Sequence, residues 1–141
     1  MSSRSLDDLC PEMKEVCEEF LEQCADYKIN VLVYCTYRSN KEQNEEYARG
    51  RTVNSHIGSS PKRPLGMTVT NAKAGQSKHN CVDENGNPSS RAFDCVPTSQ
   101  GQPQWKNISA YEKMGEIGRG LGLTWGGDWK HQDKPHFELK D

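Results

Sequence analysis

Three short segments in the second half of the chain place the strongest restriction on its fold. Each carries one side chain that can bind a metal: His79 in the motif SKHN, Asp94 in RAFD and His136 in PHFEL. The pair Asn85-Gly86 lies between the first two, and Asn-Gly is the strongest short signal for a β-hairpin. Such a hairpin would return His79 and Asp94 to the same end of a sheet, and a last strand over 136–139 would add His136. The spacing therefore predicts an antiparallel sheet that gathers the three side chains.

Hydrophobic periodicity and turn residues predict the elements around this sheet. The predicted helices run from Pro11 to Ala25, from Lys41 to Arg49 and from Asn107 to Gly122, and the second is polar and capped by Ser39 or Asn40. The predicted strands run from Ile29 to Tyr37 and from Arg91 to Val96. In the last helix the residues expected to face inward are Ile108, Tyr111, Met114, Ile117 and Leu121. Residues 51–75 are rich in Gly, Pro and Ser and are predicted to form a loop, either a lid or a disordered segment. No repeat or linker interrupts residues 1–141, so we expect one α+β domain: a small antiparallel sheet with flanking helices.

Composition excludes several classes of function. The net charge of -2 argues against a nucleic-acid partner. No segment approaches the roughly 18 consecutive apolar residues of a membrane span, so no stable membrane association is expected. The first residues show no secretory signal, which predicts accumulation in the cytoplasm and reduced cysteines. A monomer is expected.

The cysteines near the N-terminus recur every seven residues, at Cys10, Cys17 and Cys24. This spacing places them on one helix face, where they are expected to be small buried hydrophobic residues. A metal cluster is the alternative, but no CxxC pair is present to chelate tightly.

The residue types of the three motifs are those of a catalytic zinc site. Such a site needs three protein ligands, an open position for water and a nearby base. His79, Asp94 and His136 can supply the ligands, and Asp133 can supply the base. The alternatives are that each histidine is simply hydrogen-bonded or exposed, and that Asp133 forms a turn before Lys134-Pro135.

Other polar and aromatic residues have two interpretations each. Arg38 follows the first predicted strand and is either a solvated cation or a group that stabilises an oxyanion or a substrate carboxylate. Trp125 and Trp129 could wall a cleft, although core packing is equally consistent with Trp125. His56 and His131 lie in polar loops and are expected to be surface residues.

The ordered motifs of the chain resemble those of a known family. They are YRS at 37–39 with Glu42-Gln43, VTNA at 69–72, GQSKHN at 75–80, AFD at 92–94, WGGDW at 125–129 and PHFE at 135–138. Together they resemble the M15 zinc peptidases, relatives of the D-Ala-D-Ala carboxypeptidases, and most closely the phage endolysins of the L-alanyl-D-glutamate endopeptidase type. The gap of fifteen positions from His79 to Asp94 is longer than is common in that family, and the 83–90 hairpin is the simplest explanation.

The resemblance implies the M15 (hedgehog-like) fold and Zn²⁺ bound by His79, Asp94 and His136. It implies that Asp133 is the general base and that Arg38 assists the developing charge. Gln43 and Ser77 match supporting positions in the substrate cleft, and Trp129 is a further candidate there.

The implied function is zinc-dependent cleavage of the L-Ala-D-Glu bond in bacterial peptidoglycan. The protein would be stored in the host cytoplasm and would reach the periplasm and wall after a holin permeabilises the membrane. Three alternatives remain: a D-Ala-D-Ala carboxypeptidase or dipeptidase, a non-catalytic wall-binding module, and a redox or structural zinc protein built on the cysteines.

Overall fold

The computed structural model describes residues 2–141 as one antiparallel sheet covered on one face by two helices. Its elements are α1 (Pro11–Asp26), β1 (Asn30–Cys35), α2 (Asn40–Ala48), β2 (Ala92–Ser99), β3 (Gln102–Pro103), α3 (Ile108–Gly120), β4 (Leu123–Trp125) and β5 (His136–Leu139). Three single 3-10 turns lie at Leu6–Asp8, Lys78–Asn80 and Gly126–Asp128. Within 2–141 no helix is both long enough and apolar enough to cross a bilayer. The predicted α+β fold class is confirmed.

Each helix begins at a residue suited to that position. Pro11 is the first residue of α1, where its missing N–H costs no hydrogen bond. Ser39 caps α2: its hydroxyl accepts from the Glu42 amide, and the Glu42 carboxylate accepts from the Ser39 amide. Asn107 caps α3 through the amide of Ala110. The three predicted helices are therefore confirmed, with bounds that differ by one or two residues.

The sheet has the strand order β1-β2-β5-β4, and the two-residue β3 extends the far end of β2. In β2 and β5, Asp94 lies directly opposite His136, and Phe93 lies opposite Phe137. On the other side of β2, Cys35 of β1 is opposite Asp94, after an irregularity in the register between Val33 and Cys35. Bulges of this kind redirect side chains next to functional sites.

The core lies between the sheet and helices α1 and α3. Phe20 of α1 packs against Phe93 and Phe137, with ring centroids 5.4 and 4.8 Å away. Burial of each such ring contributes about 1.5–3 kcal/mol to stability. The helix α3 approaches closely because it has glycines at the contact: a Cβ on Gly118 would lie 2.6 Å from the Phe137 ring. Side chains alternate across a strand, so the residues after Phe93 and before Phe137 face away from this core.

The predicted hairpin at Asn85-Gly86 is wrong in its partners. Residues 83–87 do form a tight turn, but a single bridge between Val82 and Pro88 is all that pairs its two sides. The returning strand β2 forms as expected, yet it pairs with β1 and β5. Both edges of β2 are occupied, so no edge is left for the segment before the turn. His79 accordingly lies on the Lys78–Asn80 turn and not on a strand.

Smaller expectations also change. Ile108 was expected to face inward, but it is the first residue of α3 and is 54% exposed. The strands β3 and β4 are too short to show a period in the sequence and were not predicted. Residues 51–75 contain no strand and are tied to the helix α2 through Arg51, whose guanidinium donates to the carbonyls of Tyr47 and Thr70.

Candidate metal centre and active site

Two of the predicted ligands come from facing positions on neighbouring strands. Asp94 of β2 and His136 of β5 are register partners, and their side chains leave the sheet on the face opposite the Phe93–Phe137 pair. Nδ1 of His136 lies 3.0 Å from Oδ1 of Asp94. Both residues are buried. The pairing of the two strands thus fixes this half of the site.

The third predicted ligand is delivered by the Lys78–Asn80 turn. The Ser77 hydroxyl accepts from the His79 amide at 3.2 Å, and the Asn80 side chain accepts from the Ser77 amide. Asn80 also donates to the carbonyl of Arg38 at 2.8 Å, which ties the turn to the chain after β1. The buried ring of His79 reaches Asp94, with Nε2 3.3 Å from Oδ2.

Hydrogen bonds on the outer side of each ring select the nitrogen that faces inward. Nδ1 of His79 lies 2.8 Å from the carbonyl of Thr36, which can only accept, so Nδ1 carries the proton and Nε2 keeps its lone pair. Nε2 of His136 lies 2.8 Å from a carboxylate oxygen of Glu138, which leaves Nδ1 with its lone pair. In the neutral form of each ring, which is the form that binds a metal, the lone pair therefore faces Asp94.

This arrangement fits a zinc ion. Nε2 of His79 is buried and, although it lies 3.3 Å from Oδ2 of Asp94, it makes no well-oriented hydrogen bond with any of residues 2–141, which is costly unless a ligand satisfies it. Two imidazole nitrogens and one carboxylate are a donor set of catalytic zinc sites, and the carboxylate and carbonyl behind the rings are the usual outer partners.

The protonation behaviour of the three groups shows strong mutual attraction. Burial lowers the pKa of His79, but the Asp94 carboxylate outweighs it and raises that pKa well above its usual value. Burial likewise lowers the pKa of His136, while its hydrogen bonds to the carboxylates of Asp94 and Glu138 raise it to about 9. Burial raises the pKa of Asp94, but the two imidazoles hold it well below its usual range. Asp94 is therefore ionised and ready to bind a cation.

Asp133 lies beside these ligands at the mouth of the cleft. One of its carboxylate oxygens, one from Asp94 and a ring nitrogen of His136 all lie within 4.8 Å of one another. Its amide donates to the Gly126 carbonyl at 2.8 Å, and a Cβ on Gly126 would collide with the Asp133 carbonyl. Asp133 is an exposed residue, but it lines the cleft, and partial desolvation there raises its pKa, as does the charge of Asp94. A raised pKa suits a group that accepts and returns a proton.

Arg38 lines the cleft just after the end of β1, and its guanidinium is held on three sides. Its guanidinium contacts the Gln43 side chain at 3.1 Å, the Ser2 hydroxyl at 3.2 Å and the Cys35 sulfur at 3.6 Å. Gln43 does not line the cleft: it is fully buried and also donates to the Ala72 carbonyl at 2.7 Å. Its predicted place in the substrate cleft is therefore corrected. Gln43 supports Arg38 and the main chain at Ala72, because both the oxygen and the nitrogen of its amide are used in internal hydrogen bonds.

The site opens into a cleft of about 410 Å³. Its lining includes the three ligand candidates and Tyr34, Arg38, Ser77, Lys78, Trp129, Asp133 and Glu138. Trp129 is 39% exposed and its ring lies 5.1 Å from that of His136, so it forms one wall of the cleft. Trp125 belongs to the core and donates from its indole nitrogen to the Lys134 carbonyl. His56 and His131 are exposed, as expected.

The cysteines do not form the alternative metal cluster. Within residues 2–141 the groups that could hold an ion are Cys35 with His79 and Asp94, and Asp94 with Asp133 and His136. Cys17 and Cys24 are buried in the core as free thiols, and Cys10 is half-buried. Burial raises the pKa of both Cys17 and Cys24 to about 12, so they are unreactive thiols.

Sequence reasoning missed Cys35, Lys78 and Glu138. The position of Cys35 depends on the strand register at the bulge, which sequence does not reveal. Glu138 could have been found, because residues two apart on a strand share a face and Glu138 follows His136 by two.

Two inward-facing imidazoles and a carboxylate beside a second carboxylate in an open cleft define the class of metal-dependent hydrolases. Comparison with known proteins gives the family. A family model described as D-alanyl-D-alanine carboxypeptidase of peptidase family M15 matches residues 70–139. The chain belongs to the M15 peptidases, a zinc-dependent family, and is a zinc metallopeptidase.

Individual relatives agree with this assignment. The peptidoglycan L-alanyl-D-glutamate endopeptidase CwlK of Bacillus subtilis (strain 168) is 29% identical over 140 residues, which cover 94% of this chain and 74% of CwlK. The L-Ala D-Glu endopeptidase ChiX of Serratia marcescens has a similar structure, with a TM-score of 0.59 and 24% identity over 99% of this chain and 89% of ChiX. A variant of the vancomycin resistance D,D-pentapeptidase VanY, solved with Zn(II), gives a TM-score of 0.63 and 12% identity over 93% of this chain and 72% of that one. The last two show a shared fold.

Proposed function

We propose that the protein is an endopeptidase that hydrolyses the L-Ala-D-Glu bond in the stem peptide of bacterial peptidoglycan. The observation that carries the chemistry is the convergence of His79, Asp94 and His136 beside Asp133 in an open cleft. The choice of bond is supported by the similarity to an L-alanyl-D-glutamate endopeptidase over 94% of the chain.

The side chains around the cleft divide the work of hydrolysis. His79, Asp94 and His136 would hold zinc, which when bound supplies a Lewis acid that polarises the scissile carbonyl and acidifies a water molecule. Asp133 takes the proton of the attacking water and then delivers it to the departing amine of D-glutamate, which breaks the C–N bond. Its raised pKa favours the first half of this transfer, because it makes the carboxylate a stronger base.

Arg38 supplies positive charge to the cleft. Its guanidinium is held by Gln43 and by the Ser2 hydroxyl, so it is in place before the substrate arrives. A cation in this position can stabilise the carbonyl oxygen as it becomes negative, or bind the free carboxylate of D-glutamate. The other lysine or arginine that lines the cleft, Lys78, is already paired with Glu138 and Asp141.

A D-Ala-D-Ala carboxypeptidase is the second candidate. It is favoured by the description of the matching family model and by the fold shared with VanY. It would use the same ligands and the same base, so the two candidates differ in the fragment released and not in the site.

The biological role that we propose is that of a phage endolysin. The protein would act as a monomer, be stored in the host cytoplasm and reach the wall after a holin opens the membrane. The support is the resemblance of its motifs to endolysins of this type. The test is expression in a Gram-negative host: lysis should follow only when a membrane-permeabilising agent is added.

The bond cleaved is tested by digestion of purified Gram-negative peptidoglycan with zinc-loaded wild type and Asp133→Ala, followed by mass spectrometry of the fragments. We expect new D-Glu amino termini from the wild type, a loss of rate of about 10²–10⁴-fold in Asp133→Ala, and no activity after chelation of zinc. Gln132→Ala, next to the proposed base, serves as the control and should keep its activity.

Other outcomes identify the alternatives. Release of D-Ala alone would assign the protein as a carboxypeptidase. Binding to peptidoglycan without release of any fragment would identify a wall-binding module.

A further inference from the structure

Glu138 links the last metal-ligand candidate to Lys78, which also lines the cleft. Its Oε1 accepts from Nε2 of His136 at 2.8 Å, and its Oε2 lies 3.0 Å from Nζ of Lys78. The Glu138 side chain is 16% exposed, so these contacts are shielded from bulk water. Both carboxylate oxygens are engaged, and Glu138 is therefore not available as a second base.

Lys78 completes the link because it directly precedes His79. Its ammonium donates to the Leu139 carbonyl at 2.6 Å and pairs with the Asp141 carboxylate at 3.0 Å. The Lys78–Asn80 turn, which carries one histidine, is thereby bonded to the strand that carries the other. Most ion pairs on a protein surface contribute little to stability. The Lys78 ammonium differs because the side chain is only 21% exposed and contacts three acceptors.

We propose that Glu138 is a positioning residue that holds the proton of His136 on Nε2, and that Lys78 orients the Glu138 carboxylate for this task. A proton held on Nε2 leaves the Nδ1 lone pair directed at Asp94 and available to zinc. Lys78 and Glu138 thus join the two histidines into one unit. The inference rests on the ligand set of the proposed function, but not on which bond the enzyme cleaves.

The experiment measures zinc affinity by competition with a chromophoric chelator. We expect Glu138→Ala to weaken zinc binding by about 100-fold and Glu138→Gln by about tenfold, since glutamine keeps an acceptor oxygen but loses the charge. Lys78→Met should fall between Glu138→Gln and the wild type. The matched control is Glu116→Gln, which removes the same charge from an exposed pair with Lys113 and should leave the affinity unchanged.

A second readout separates positioning from general stability. In the zinc-loaded wild type, the Nε2 proton of His136 should exchange slowly with water in ¹⁵N-edited NMR spectra, and in Glu138→Ala it should exchange rapidly. Glu138→Gln preserves the side-chain volume and provides the decision if Glu138→Ala does not fold.

The outcomes distinguish the inference from the proposed function. Unchanged zinc affinity and unchanged proton exchange in the Glu138 variants would overturn the positioning role, provided that His136→Ala abolishes zinc binding. Unchanged zinc affinity in His136→Ala would overturn the ligand set itself, and with it the proposed mechanism.

Discussion

The two histidines of the site are held by opposite kinds of partner. His79 lies on a single 3-10 turn, and its outer nitrogen donates to a neutral main-chain carbonyl, that of Thr36. His136 lies on a paired strand, and its outer nitrogen donates to a charged carboxylate, that of Glu138. A main-chain acceptor is fixed by the fold, whereas a carboxylate can be changed by one substitution. The fold therefore fixes the orientation of the His79 ring, whereas the Glu138 side chain sets that of the His136 ring.

The largest effect is expected where the two supports meet, at Asp94. Asp94→Ala should abolish zinc binding and lower the free energy of unfolding of the metal-free protein by about 3 kcal/mol, because both buried imidazoles lose their counter-charge. Urea denaturation in excess chelator measures the second quantity. Asp128→Ala, which breaks an exposed pair with Arg119, is the control and should cost at most about 1 kcal/mol. Equal losses in both variants would contradict the central role of Asp94.

Gly118→Ala tests how the strand β5 supports His136, by disturbing the core next to it. The new methyl would overlap the Phe137 ring, next to His136, and should lower the free energy of unfolding by about 1–3 kcal/mol. The NMR signals of the His136 ring should shift more than those of His79. Gly120→Ala is the matched control, since a Cβ there meets open space, and it should not destabilise the protein. Larger shifts at His79 than at His136 would count against separate supports.

Ser77→Ala tests how the Lys78–Asn80 turn supports His79. Loss of the hydroxyl that accepts from the His79 amide should cost about 1 kcal/mol and weaken zinc binding by less than about tenfold. Ser39→Ala removes a cap of the same kind from α2, a helix that carries none of the three ligands. It should cost similar stability with no change in zinc affinity. If both variants bind zinc equally well, the cap of the 78–80 turn does not position His79.

The smallest effect on stability and zinc binding is expected at the side chain of Thr36, the residue whose carbonyl accepts from His79. Thr36→Val removes a buried hydroxyl that donates to the Ser5 carbonyl at 2.7 Å, at a cost of about 0.5–1 kcal/mol. The carbonyl that bonds His79 stays in place, so zinc affinity should be unchanged. Thermal denaturation and chelator competition on the same samples test both statements. A large loss of zinc affinity would show that the Thr36 side chain, and not the strand, holds this carbonyl.

The sequence identified three candidate ligands but not the way in which the fold supports them. His79, Asp94 and His136 lie in motifs whose residue types suit a metal, and the structure brings all three together. The hairpin at Asn85-Gly86 was predicted from a local turn signal. Its partner was wrong because strand pairing depends on which edges of β2 are free, and that is a property of the whole sheet.

The supporting residues show the same limit. Gln43 was placed at the cleft surface from a motif match, but its burial follows from tertiary contacts with Ala72 and Arg38 that no local pattern encodes. Glu138 was readable from the strand period, whereas its partner Lys78 comes from sixty positions earlier in the chain and was not. Local patterns predicted the elements and long-range contacts decided the site.

The pairing of Asp94 with His136 also couples the acquisition of metal to correct folding. A slip of one residue in the register of β2 would turn Phe93 toward the cleft and Asp94 toward the core. Because neighbouring side chains alternate, a sheet slipped by one residue cannot present Asp94 beside the two histidines. Zinc binding therefore reports that the strands have paired in the native register. During refolding, zinc binding should follow hydrophobic collapse and coincide with the pairing of β2 with β1 and β5.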